Sequence, residues 1–139
     1  MMEILLFSVS YSGSWGQPAV SIAQFIDRAA VLGIDGVMPM VKRPHLSLQD
    51  CGPPERARLR AQLGRREPAC RVCVAAYTNF TADLEHGEIP HREFQIHYVA
   101  ALAECARDLG GNLARVFTGY ENPVAPYGLR VEAGGRSLA

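Results

Sequence analysis

The sequence lacks a charge excess, a long apolar run and a second closely spaced cysteine pair to match its one CxxC, and each absence removes a class of function. Lys+Arg and Asp+Glu stand at 14 each in 139 residues, so there is no electrostatic footprint for nucleic acid or an anionic membrane surface. The basic cluster Arg56, Arg58, Arg60, Arg65 and Arg66 fits the solvated face of a helix, and no nucleic-acid partner is expected. No run approaches the ~18 apolar residues that span a bilayer, so no membrane partner is expected either. The apolar stretch Ile4 to Val9 is too short for a signal peptide and lacks its positive flank and cleavage site. A cytoplasmic location is therefore expected, and there Cys51, Cys70, Cys73 and Cys105 would be free thiols. Cys70-Arg-Val-Cys73 has metal or redox spacing, but it falls within a predicted strand, where positions three apart point to opposite faces. Core cysteines are the simpler reading. No GxGxxG or Walker pattern occurs, which argues against nucleotide binding.

Hydrophobic residues make up 48% and charged residues 20% of the chain, enough for an ordinary globular core and too much for disorder. The apolar residues fall into alternating short runs and helical stripes. ILLFSVS (Ile4 to Ser10) reads as a parallel strand buried on both faces. A Gly-rich loop, YSGSWGQ, follows. A helix begins near Pro18, carries Ile22, Phe25, Ile26, Ala29 and Ala30 on its inner side, and stops at Gly33. IDGVMPMV (Ile34 to Val41) repeats the strand, KRPHLSLQDCGPP the loop, and residues 55–66 the helix, with Leu59 and Leu63 inward. A third unit comprises the strand ACRVCVAAY (Ala69 to Tyr77), the loop TNFTADLEHGEIP and a helix over 91–109, with Phe94, Tyr98, Ala101, Leu102 and Cys105 on its inner stripe. Asn112 to Thr118 supplies a fourth strand. The junctions AVLGIDGVMPM and RDLGGNLARVFTG look alike, as successive copies of one βα unit would. Without Asn-Gly hairpin signals, this alternation predicts an α/β fold of about four parallel βα units with right-handed crossovers.

In such folds chemistry belongs to the loops after the strands. Those loops hold Tyr11, Ser12, Trp15 and Gln17; Lys42, Arg43 and His45; Thr78, Asn79, Thr81 and His86; and Tyr120, Glu121 and Asn122. His86 and His91 bracket Glu88 in HGEIPH, but Pro90 and His91 fit a helix start with Glu88 near its positive end. His97 fits a surface or packing role. Lys42, Arg43 and His45 form a basic loop able to clasp a phosphate, although no glycine lies within it.

Taken together, FSVSYSGSWGQ, DGVMPMVKRPHLS, AAYTNFTADLEHGEIPH and ARDLGGNLARVFTGYENPVAPYG resemble the N-terminal half of the sugar phosphate isomerase/epimerase family, which has the xylose isomerase-like barrel. The resemblance covers Glu3 to Gly128, so residues 1–128 would form the first half of a (β/α)8 barrel domain. Residues 129–139, LRVEAGGRSLA, depart from it and read as a divergent, frayed tail. What the resemblance implies is a metal-assisted proton transfer on a sugar or polyol carbonyl compound, with Mn or Mg at the barrel mouth. The family's metal ligands, typically two Glu, an Asp and a His, sit on later strands. None is carried over, Glu121 included, and this chain alone is expected to bind no metal. The substrate wall is carried over: His45 first, then Tyr77 and Asn79 beside the third strand, and Arg115 and Glu121 beside the fourth. Trp15 would either stack on a sugar face or plug the barrel bottom.

A half barrel would leave its first and last strands with unpaired backbone groups, and inward Val9, Met38 and Val74 without an opposing wall. A homodimer through the open sheet edges is expected. Two functions follow as expectations. One is an isomerase or epimerase acting on a sugar or sugar phosphate; the other is a truncated, catalytically silent half barrel that binds or self-assembles.

Overall fold

The computed structural model describes residues 2–65, 70–82 and 88–119. Its strands are β1 (Leu5–Phe7), β2 (Gly36–Met38), β3 (Arg71–Ala75) and β4 (Leu113–Arg115), and its helices are α1 (Ile22–Val31), α2 (Pro53–Gly64) and α3 (His91–Asp108). All strands pair in parallel in the order β1-β2-β3-β4. The fold class is therefore α/β, as the alternation of strand and helix patterns implies. The stretch 129–139 and the proposed limit at residue 128 lie outside the described residues.

Strands shorter than expected have local causes. Pro39 offers no N–H to a ladder, so β2 ends at Met38 and resumes only as an isolated bridge between Met40 and Ala75. β1 gives way to a 3-10 turn, Ser8–Tyr11, where the buried Ser8 hydroxyl takes the Met40 N–H at 2.8 Å in place of a strand carbonyl. β4 yields after Arg115 to Phe117, whose N–H and C=O are both bonded by the Thr78 hydroxyl, at 2.8 and 2.6 Å.

The helices start and stop for equally local reasons. α1 begins at a capping box, Ser21 with Gln24, rather than near Pro18; the spacing Ser-x-x-Gln is its sequence signature. α2 takes Pro53 in its first turn and so starts two residues before Glu55. At the ends of α1 and α3 the same arrangement recurs. Gly33 and Gly110 adopt φ of 65° and 84°, and the next N–H returns to the helix, from Ile34 to Ala29 and from Gly111 to Ala106. These are two copies of one C-terminal cap, the structural content of the two similar junctions.

The core lies between the sheet and the helices. Val37, Val72 and Val74 point from successive strands into one cluster with Phe25, Ile26, Leu59, Leu63, Leu102 and Cys105. Val74 thus faces the helices and not the barrel interior, because the register places Cys73 beside Met38 on the other side. Val9 falls in the 3-10 turn. Phe94 is 57% exposed, a correction to the inner stripe of α3, which runs instead through Tyr98, Leu102, Cys105 and Ala106. Polar bonds tie the helices together: Arg56 of α2 to Asp108 of α3 at 3.1 Å, and Gln62 of α2 to Asp27 of α1 at 2.7 Å. Arg56 therefore leaves the solvated face, whereas Arg58 remains there, paired with Glu55.

Alternate strand residues Leu5, Phe7, Met38, Cys73, Leu113 and Arg115 share the face away from the helices. In a flat sheet β1 and β4 would lie about 14 Å apart. Here the Arg115 guanidinium sits 4.9 Å from the Phe7 ring centroid. The sheet is thus curled, with its helix-free face concave.

Candidate functional site

The concave face carries one continuous stack of rings and cations at the C-terminal ends of the strands. The Arg115 guanidinium lies between Phe7 and Phe117, 4.9 and 4.3 Å from their centroids. Phe117 adjoins Tyr77 at 6.2 Å, and Lys42 Nζ stands 3.9 Å above the Tyr77 ring. Each of the four strand units contributes a member: Phe7 lies on β1, Lys42 follows β2, Tyr77 follows β3, and Arg115 and Phe117 belong to β4 and its extension. The Thr78 bonds to Phe117 hold the two aromatic rings in place, and the Tyr77 hydroxyl contacts Met40 Sδ at 3.9 Å.

Arg115 packs against these two rings. Its Nε is buried without a hydrogen-bond partner, and among the described residues its guanidinium forms no ion pair. Lys42 likewise has no carboxylate partner among them. Cys73 lies beside Arg115 on this face; burial raises its thiol pKa, and the Arg115 backbone N–H, with its guanidinium charge second, only partly offsets that. The basic loop after β2 does not act as a unit. Arg43 is engaged by both carboxylate oxygens of Asp50, which raises the Arg43 pKa and lowers that of Asp50.

His45 is placed elsewhere. It is 8% exposed and sits in the helix layer, stacked on Phe25 at 6.1 Å. Its Nε2 bonds the Val20 carbonyl at 3.0 Å and its Nδ1 the Ser8 hydroxyl at 2.9 Å. A single tautomer satisfies this set: Nε2–H donates to Val20, and Nδ1 accepts from Ser8, whose oxygen accepts from Met40. Burial lowers the His45 pKa, the backbone of Val20 and of Tyr11 opposing in part. Both ring nitrogens are thus engaged within the fold.

Asn79 is also used locally, its Oδ1 accepting from the Thr81 N–H and hydroxyl at 3.3 and 2.8 Å. Trp15 is 71% exposed on the loop after β1 and does not plug the sheet's interior. Glu121, with His86, lies outside the described residues. Of the expected substrate wall, the structure therefore brings together Tyr77 and Arg115. It adds Phe7, Phe117 and Lys42. Phe7 and Phe117 read in the sequence as apolar strand residues, and no local signal distinguishes a ring that packs a core from one that sandwiches a cation.

The resemblance implies a divalent cation at the mouth. Among the described residues no group of three or more His, Cys, Asp or Glu is placed to hold one, and the concave face offers two cations whose charge opposes a metal ion. These residues do not fit the family's metal, and no step is derived through it. Among the described residues no helix is long and apolar enough to cross a membrane. Comparisons with protein-family models, curated proteins and solved structures found no match to this chain.

Proposed function

We propose that this chain binds a sugar or sugar phosphate on its concave face, as the first half of a xylose isomerase-like barrel in the sugar phosphate isomerase/epimerase family would. The observation that carries this reading is the convergence of Phe7, Lys42, Tyr77 and Arg115 from four successive βα units onto the C-terminal ends of the strands. Aromatic rings cover the apolar face of a sugar, and charged N–H donors replace the water that its oxygens lose. The family's isomerisation or epimerisation needs an acid and a base beside the reacting carbon. The described part of this face presents cations and rings, so it supports recognition more directly than turnover.

The test is a titration of the isotope-labelled full chain with unphosphorylated pentoses and hexoses, followed by NMR. Saturable shifts at Tyr77 and Phe117 are expected. Shifts absent there for every sugar tried would remove the reading.

A second reading, a self-assembling half barrel, is favoured by the sheet edges. The outer backbone of β1 and β4 is unpaired within the described sheet. Ile4, just before β1, and Leu113, in β4, are both exposed. A two-fold axis parallel to the strands would set β4 of one copy beside β1 of the other with directions matched, closing eight parallel strands into a homodimer.

A further inference from the structure

The strand register of one chain fixes how a second copy would have to meet it. Leu5 pairs with Gly36 and Gly36 with Arg71, while Cys73 pairs with Leu113 and so sets Arg71 level with Gly111. A path across the sheet from Leu5 therefore arrives at Gly111. Eight-stranded parallel α/β barrels have a shear of about eight residues, the distance along the starting strand by which one full turn misses its origin. Two identical halves would each supply about four of these. Leu5 of a second copy then falls about four residues from Gly111, and because Arg107 lies inside α3, that position is Arg115. The shift is even, so the alternation of faces is kept. The partner's Leu5 and Phe7 come beside Arg115 and Phe117 on the concave face, and its Ile4 and Leu6 turn to the helix side, level with Ala114 and Val116.

The surface around β4 suits that neighbour. Ile4 is 55% exposed in the single chain. Between α3 and β4 runs an apolar groove of about 280 Å³, with Ala103, Ala106 and Ala114 in its wall. The register selected by the shear sets the partner's Ile4 over this groove, although neither the groove nor the exposure of Ile4 entered the arithmetic. Neither Leu5–Phe7 nor Leu113–Arg115 contains a proline to block a ladder.

We propose that a second copy of this chain adds its β1 beside β4, with Leu5 next to Arg115 and Phe7 next to Phe117, so that the partner's Phe7 completes the stack of rings and cations at the mouth. This rests on the self-assembling reading and deepens it by giving the register and by making the site a shared one. A small molecule on one open concave face keeps much of its surface in water, whereas ligand pockets bury roughly 70–90% of it. The second copy supplies the opposing wall.

The experiment mixes two variants of the full chain, Ile4→Cys and Ala114→Cys, with diamide as oxidant, and maps the linked peptides by mass spectrometry while light scattering counts the copies. Paired strands lie roughly 4.8 Å apart, within the Cα separation of about 4.4–6.8 Å that a disulfide spans. The two introduced thiols should therefore join across chains. Asn112→Cys in place of Ala114→Cys, on the same face but out of register, should give at least about tenfold less product. Equal or greater linkage to Asn112→Cys would overturn the register. A dimer linked at neither position would overturn the contact of β4 with β1 while leaving self-assembly standing, and a monomer at every concentration would overturn both. Should a variant fail to fold, mixed isotope-labelled and unlabelled wild-type chains decide: NOEs from the Phe7 ring of one copy to the Phe117 ring of the other are expected, and a dimer without them would refute the proposal.

Discussion

At the scale of single residues, the side chains with the most specific bonding hold the backbone in place. Thr78 is fully buried and bonds both backbone groups of Phe117. Thr78→Val keeps its shape and removes both bonds, leaving two polar groups unsatisfied; a loss of about 2–4 kcal/mol is expected in urea unfolding. His45 yields a second expectation with a pH signature. Its folded pKa lies below the ordinary value of about 6.5, so above that pH the imidazole is neutral in both folded and unfolded chains. Below it, the unfolded chain takes up a proton that the folded site resists. Stability from this site is therefore complete above about pH 6.5 and declines as pH falls toward the folded pKa. Unfolding midpoints at stepwise lower pH should show this decline, and His45→Gln should flatten it. A wild-type and variant pair with equal slopes would show that other groups set the acid limit. Cys105, pushed up to about 11 by burial, should resist alkylation at neutral pH while the protein is folded. His45 also shows where sequence reasoning reached its limit. Its place in a polar loop after a strand was legible, but that its ring turns into the helix layer toward Ser8 and Val20 depends on partners far away in the chain.

At the scale of elements, the repeating architecture was largely legible because it depends on local chemistry. Apolar runs, helical stripes and glycines at helix ends are short-range signals, and they located the four strands and three α-helices of the described residues. The errors lie at boundaries where a single residue changes the bonding. Pro39 interrupts β2, and Ser21 moves the start of α1. Face assignment within β3 failed for a related reason: parity depends on register, and register is fixed by pairing with β2 and β4. The two glycine caps allow a paired test. An L-residue at positive φ costs about 1–2 kcal/mol, so Gly33→Ala and Gly110→Ala should each destabilise by that amount in chemical denaturation. Space around Gly33 is open, whereas a methyl at Gly110 would meet the Arg60 side chain. The second variant should therefore lose at least as much as the first. A neutral Gly33→Ala would contradict the role assigned to the cap.

At the scale of the whole molecule, the two edges left unpaired within the described sheet and its one concave face govern behaviour. Unpaired strand edges without prolines or bulges attract further strands. Light scattering across a concentration series should show self-association, and Leu113→Lys, which places a charge beside the β4 edge, should reduce it. A monomer at every concentration, unchanged by the substitution, would remove the two-fold barrel. The contact of Arg115 with Phe7 also bears on how the protein is made. It joins the first strand to the last, so on the ribosome Phe7 must wait for nearly the whole described chain to emerge before its ring is covered. Each βα unit can collapse onto its neighbour as it appears, but the concave face is completed only once β4 has joined the sheet. Stalled nascent chains should accordingly present a wet aromatic ring from β1, a natural handle for chaperones that scan unfinished proteins.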